Sequence, residues 1–256
     1  MAQRMLRLSS GSLKHRLWRL AMRATPVPIL ARPRESSFWQ RHWGEAISDA
    51  ELPGYARSTD LKKWFARQLV EALKPSSVLE LGCNVGANLR EIHALDPSIE
   101  LHGIELNQRA IDYGRAKVVP ADATLIQGSM ADTTQLAATH GLGNVDVVFT
   151  SAAAMHCDDS IFAKAKEAAL GLAKNAVVHM EFNAWSPADL QNMRNWRSSF
   201  LSDRWIRDYP GEYRGHPRVR KIETIAIPLD INFVDNIGRM MISDVTGMII
   251  VHLAPI

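Results

Sequence analysis

Val78-Leu79-Glu80-Leu81-Gly82-Cys83-Asn84-Val85-Gly86-Ala87-Asn88-Leu89 passes from an apolar run through a glycine turn into a helical pattern. Gly82 and Gly86 let backbone come close to a ligand, and a helix that starts here offers unpaired N–H groups to it. A dinucleotide site would call for G-x-G-x-x-G. Asn84 stands in the second glycine place and Ala87-Asn88 follow, which makes this a poor nicotinamide site.

Outward from this turn, short apolar runs alternate with helical patterns. Residues 78–81, 101–104, 125–127, 145–149 and 177–180 read as strands, with helices near 86–95, 107–117, 131–139 and 159–174. This alternation specifies an α/β fold, a mostly parallel sheet covered by helices on both faces, which binds ligands beyond the carboxyl ends of its strands. Upstream, Leu61, Phe65, Leu69 and Leu73 step by four along a helix over 60–73, with Thr59 as its cap. Downstream, 186–202 reads as helix and 204–220 as a substrate-facing insertion. Residues 222–229, 240–243 and 248–253 are strand-like, with Asp244-Val245-Thr246-Gly247 as a turn.

The chain has 256 residues, 46% of them hydrophobic and 22% charged, the composition of an ordinary globular protein. Its two cysteines, Cys83 and Cys157, cannot form a disulfide framework, and the nine histidines show no metal-ligand spacing. A cytoplasmic location is the expectation. The formal charge of +3 is unevenly spread. Residues 1–34 hold eight Lys and Arg and no acid, so the remainder, with 22 bases and 27 acids, is formally −5. We therefore divide the chain into a basic arm, 1–35, and a domain, 36–256, carrying an insertion near 186–220. Leu13, Leu17 and Leu20 give the arm an amphipathic pattern that Pro26 and Pro28 end. It suits a solvated or packed helix, a peripheral contact with anionic membrane at the cytoplasmic face, a nucleic-acid arm or a presequence. The acidic domain argues against nucleic acid, and oligomeric state is not legible.

The turn resembles the first motif of class I S-adenosylmethionine-dependent methyltransferases, an acid followed by G-x-G-x-G, here Glu80-x-Gly82-x-Asn84-x-Gly86 with Asn in the middle place. The resemblance implies a Rossmann-like fold with a mostly parallel seven-stranded sheet, S-adenosylmethionine as cofactor and S-adenosylhomocysteine as product. Glu80 would hold the cofactor's ammonium, and the backbone of Gly82, Asn84 and Gly86 would lie against its amino-acid portion. Glu105 ends the second strand, 23 positions after Gly82. Its two carboxylate oxygens suit the two hydroxyls of a ribose. Ser129 and Met130 follow the third strand, where the family contacts adenine. Tyr55 and Arg57 fall where related enzymes approach the cofactor carboxylate, and Thr150 ends the fourth strand.

The Asn/Asp-Pro-Pro-aromatic tetrad of the family's nucleobase and glutamine amino-methyltransferases is missing after that strand. Phe149-Thr150, followed six positions on by His156, instead resembles the ending seen in bacterial surface-sugar methylases, such as those associated with pseudaminic acid. Glu181-Phe182-Asn183 and Tyr213-Arg214-Gly215-His216 continue that echo. A hydroxyl acceptor benefits from a general base, and His156, Glu181 and His216 are the candidates. The expected function is thus methyl transfer to a hydroxyl of a small molecule or glycan precursor. The alternatives are an RNA methyltransferase using the arm and a non-catalytic cofactor-binding scaffold.

Overall fold

The computed structural model describes residues 41–182, 205, 207–228, 231 and 246–256. The basic arm, the helix expected over 186–202 and the strand expected over 240–243 lie outside these residues. Seven strands form one sheet: β1 (Ser77–Leu81), β2 (Glu100–Glu105), β3 (Thr124–Gln127), β4 (Val145–Ser151), β5 (Ala173–Phe182), β6 (Val219–Ala226) and β7 (Thr246–Leu253). Their order is β3-β2-β1-β4-β5-β7-β6, and all pairings are parallel except those made by β7. Chain connectivity reverses direction across β1 and β4, so the crevice beyond their carboxyl ends is where such a sheet receives ligands.

Helices α1 (Leu52–Tyr55), α2 (Asp60–Leu73), α3 (Ala87–Leu95), α4 (Gln108–Lys117), α5 (Thr133–Thr139), α6 (Asp159–Leu172) and α7 (Tyr209–Tyr213) surround it. The caps follow from composition: Thr59 accepts the Lys62 amide, Asn107 the amides of Arg109 and Ala110, and Asp158 those of Ser160 and Ile161. Strand alternation divides the core. Val78, Val147 and Phe149 pack with Phe65, Leu69 and Ile92 under α2 and α3, whereas Leu79, Leu81 and Val148 pack with Phe162 and Ala169 under α6.

Two expectations need adjusting. β5 begins at Ala173 with no turn after α6, because Ala173 already pairs with Val145. Thr246 and Gly247, read as part of a turn, instead pair as strand with Phe182 and Glu181. β7 therefore enters the sheet at the level where β5 ends. Ala226, paired with Gly247, leaves it at the same carboxyl edge.

Candidate active site

The glycine turn is the first wall of the site. Gly82 and Gly86 have φ of 79° and 77°, and Asn84 between them has φ of 49°. Asn is among the few residues other than Gly that tolerate this left-handed region, which explains how it fills the middle glycine place. A side chain at Gly82 would also lie 2.6 Å from the Ala153 methyl, so the turn after β1 and the turn after β4 meet here.

Glu80 and Glu105 hold opposite sides of that turn. The Asn84 amide donates to Glu105 Oε2 at 2.8 Å and the Asn107 amide to Oε1 at 2.9 Å. Each carboxylate oxygen keeps a further lone pair. Asn88 Nδ2, in the first turn of α3, donates to Glu80 Oε1 at 2.7 Å. Glu80 Oε2, Asn84 Oδ1 and Asn88 Oδ1 are buried acceptors with no hydrogen bond. Burying such atoms unpaired is costly, and three of them in one turn suit a ligand rich in N–H donors. Nothing in the sequence pattern had singled out Asn88 for this. Its place one turn into α3, facing back to β1, is the signal that would have found it.

Burial raises the Glu80 pKa to about 8, a trend the Asn88 bond and the Lys62 ammonium oppose and the Glu105 charge reinforces. Burial also raises Glu105, against the pull of the Asn107 and Asn84 amides. A carboxyl raised in this way keeps its proton in the native state where the unfolded chain has lost it. The stability Glu80 contributes is complete below 4.5 and is lost as pH rises through about 8. His179, pushed down to about 3 by burial, acts in the opposite sense, losing its contribution as pH falls below 6.5. From about pH 7 to 9 its term is constant, so the midpoint of thermal unfolding should fall with pH and Glu80→Gln should flatten that fall. Parallel melting curves for the two proteins against pH check this.

The remaining walls follow β3 and β4. Ser129 Oγ accepts the Ala131 amide at 3.2 Å and caps a short turn, Met130–Asp132. Met130 is buried, its methyl carbon 3.4 Å from where a Gly82 side chain would stand. After β4, Ala152 takes a φ of 52° and the chain forms a second short turn, Ala154–His156, with His156 buried at its end.

Other candidates lie elsewhere than expected. Glu80 pairs in register with Phe149, so the next residue, Thr150, points to the opposite face of the sheet. Its hydroxyl is 2.8 Å from His179 Nδ1, and His179 Nε2 is 2.6 Å from the Tyr213 hydroxyl. Thr150 is thus a buried link between β4, β5 and α7, on the face of the sheet away from Glu80. Glu181 accepts amides from Ala153 at 3.0 Å, Ala154 at 2.9 Å and Met155 at 3.3 Å, which makes it a holder of the turn after β4. His216 is brought to the other end of the sheet. It precedes Arg218, which donates to the carbonyls of Leu170, Ala173 and Ala254 beside the start of β5. Residues 207–218 run along α6, from Arg207 over Phe162 through Glu212 beside Lys166 to Arg218 at Leu170, so His216 lies toward the end of the sheet away from the carboxyl edge. Arg57 is exposed, and its carbonyl and that of Tyr55 each accept Lys62 Nζ at 2.8 Å. Lys62, which the sequence had not marked, is the cation that favours the charged form of Glu80.

Among known proteins, residues 78–175 match a family model described as a methyltransferase domain. No curated protein matches the chain. Solved structures do. The plantazolicin methyltransferase BpumL, in complex with a triazolic desmethylPZN analog and S-adenosylhomocysteine, is 12% identical with a TM-score of 0.53, over 86% of this chain and 96% of that one. The O-methyltransferase from Bacillus cereus, in complex with S-adenosylhomocysteine, is 16% identical with a TM-score of 0.53, over 88% and 93%. The methyltransferase domain of bacterial CtHen1-C is 15% identical with a TM-score of 0.53, over 76% and 100%. At these identities the likeness is one of fold.

Proposed function

On the premise that residues 78–175 are a methyltransferase domain carried on a class I fold, we propose that the protein moves a methyl group from S-adenosylmethionine to a hydroxyl of a small molecule or glycan precursor. The observation that carries the cofactor reading is the set of buried acceptors without partners, Glu80 Oε2, Asn84 Oδ1 and Asn88 Oδ1, gathered in one turn beside the paired Glu105 carboxylate. When bound, the cofactor supplies an electrophilic methyl carbon on a sulfonium. Glu80, Asn84 and Asn88 accept from its ammonium. Glu105 accepts from its ribose hydroxyls, while Ser129 and Met130 flank the adenine.

The chain's own share of the chemistry is positioning and proton removal. An in-line displacement needs donor and acceptor held in contact and water kept out, which is most of the barrier lowering available. His156, at the end of the turn that touches Gly82, accepts the proton of the attacking hydroxyl. With Glu181 committed to three amides and His216 at the far end of the sheet, it is, of the three candidates, the one this reading assigns as base. The missing Pro-Pro tetrad favours oxygen over amide or nucleobase nitrogen as the accepting atom.

Two measurements test this reading. Calorimetry with S-adenosylhomocysteine should show binding in the micromolar range. Incubation with methyl-labelled S-adenosylmethionine and a panel of polyols, catechols, nucleotide sugars and amines should label hydroxyl acceptors. Label on amines alone would overturn the choice of oxygen, and cofactor binding with no labelled product from any class would favour the scaffold. Label on RNA, lost with salt and with deletion of residues 1–34, would favour the RNA enzyme.

A further inference from the structure

The turn after β4 is gripped by two buried, oppositely charged side chains from different parts of the chain. Glu181, on β5, takes the amides of Ala153, Ala154 and Met155. Arg207, 50 residues beyond Cys157, takes the carbonyls: Nη1 donates to Ala154 at 3.0 Å and Nη2 to Cys157 at 2.6 Å. The guanidinium is 97% buried, since its residue is 3% exposed, and lies 4.4 Å above the Phe162 ring with Asp159 Oδ1 3.1 Å from Nη2. Beside it the Trp205 amide donates to the Met155 carbonyl at 2.8 Å, a second tie between the same two segments. Six backbone groups of one short turn are thus satisfied by two side chains and one amide from elsewhere.

Within the turn the His156 and Cys157 amides donate to the Ala153 and Ala154 carbonyls, and the Ala152 amide donates to the Met180 carbonyl on β5. Ala152, which enters it, sits at a φ of 52°, a conformation an alanine holds only when its surroundings impose it. The next residue, Ala153, presses its methyl against the space over Gly82, where added bulk has no room. A shift of the turn by a few tenths of an ångström therefore alters the glycine turn as well as the place of His156.

We propose that Arg207 is a positioning residue of the transfer site, which, opposite Glu181, sets the turn after β4 against Gly82 and thereby sets cofactor affinity. The inference rests on the reading of the glycine turn as the cofactor site. It gives the insertion a role at the cofactor site that is exercised through the turn after β4. Arg is the residue suited to it, because its planar fork reaches two carbonyls at once where an ammonium serves one.

The test compares S-adenosylhomocysteine affinity, by calorimetry, with thermal stability in a set of variants of the full chain. Arg207→Gln should weaken binding by about tenfold or more, and Arg207→Lys, keeping the charge and one carbonyl, by about threefold. Glu181→Gln should also weaken it, and the double variant should lose less than the product of the two single losses, since both hold one turn. The control is Arg218→Gln, which frees the carbonyls of Leu170, Ala173 and Ala254 at the far end of the sheet. It should lower stability without changing affinity. Wild-type affinity in Arg207→Gln, or an equal loss of affinity in Arg218→Gln at equal loss of stability, overturns the proposal. Should Arg207→Gln fail to fold, Arg207→Lys decides it: affinity equal to wild type at lowered stability overturns it. Absence of any binding by the wild-type protein is a different result and overturns the cofactor reading itself.

Discussion

Replacing His156 by Asn is expected to slow methyl transfer by about 10²- to 10⁴-fold at saturating substrates, the usual cost of removing a general base. His156 closes the Ala154–His156 turn at the edge where β1 and β4 deliver their loops, and its own amide bonds the Ala153 carbonyl. Asn keeps the backbone and a polar side chain, so the turn should persist and S-adenosylhomocysteine affinity should change by no more than about threefold. The measurement is single-turnover transfer to whichever hydroxyl acceptor the labelling panel identifies, beside calorimetry on the same protein. A rate loss below about tenfold would remove the base assignment and leave transfer to proximity alone, because neither Glu181 nor His216 is placed to take over.

Glu105→Ala should weaken cofactor binding by about 10²-fold. Its carboxylate is the acceptor for two backbone amides, those of Asn84 and Asn107, as well as the group proposed to take the ribose hydroxyls. Leaving buried polar groups unpaired costs about 1 to 3 kcal/mol each, and about 3 kcal/mol is a factor of about 10². Part of that cost falls on the free protein, so its unfolding midpoint should drop too. Titration of S-adenosylhomocysteine into the variant decides the matter. Affinity within about threefold of wild type would take Glu105 out of the site.

The residues that could be read from sequence are those whose role is fixed by strand ends and backbone conformation. Glu80, Gly82 and Glu105 each close a buried strand, and spacing along a parallel sheet carries them to one edge. Asn84 was legible because so few side chains suit a left-handed turn. Thr150 was misread because the eye follows position along a strand and not its two faces, yet the neighbouring Phe149, packed under α2, already fixes which way Thr150 must point. His216 was misread for a different reason. β6 starts at Val219, three residues earlier than the apolar pattern indicated, at the far end of the sheet. Arg207 had no signal at all. Its partners are carbonyl groups of a turn about fifty residues upstream, and carbonyls leave no mark on residue identity.

The way β5, β6 and β7 meet the carboxyl edge bears on how such a protein diversifies. The sheet releases the chain at Phe182 and at Ala226 and recovers it at Thr246, all on the edge that carries the glycine turn. The ladders of these strands reach that edge, and the residues proposed to hold the cofactor come from 80–130. Exchanges between 183 and 204, or between 229 and 245, thus alter no residue of the described ladder and none of those proposed to hold the cofactor. On the proposed function, descendants of one ancestor could acquire new acceptors by rewriting those two stretches while inheriting the proposed methyl-donor half unchanged. The same two intervals are the natural exchange points for chimeras between relatives of differing acceptor preference.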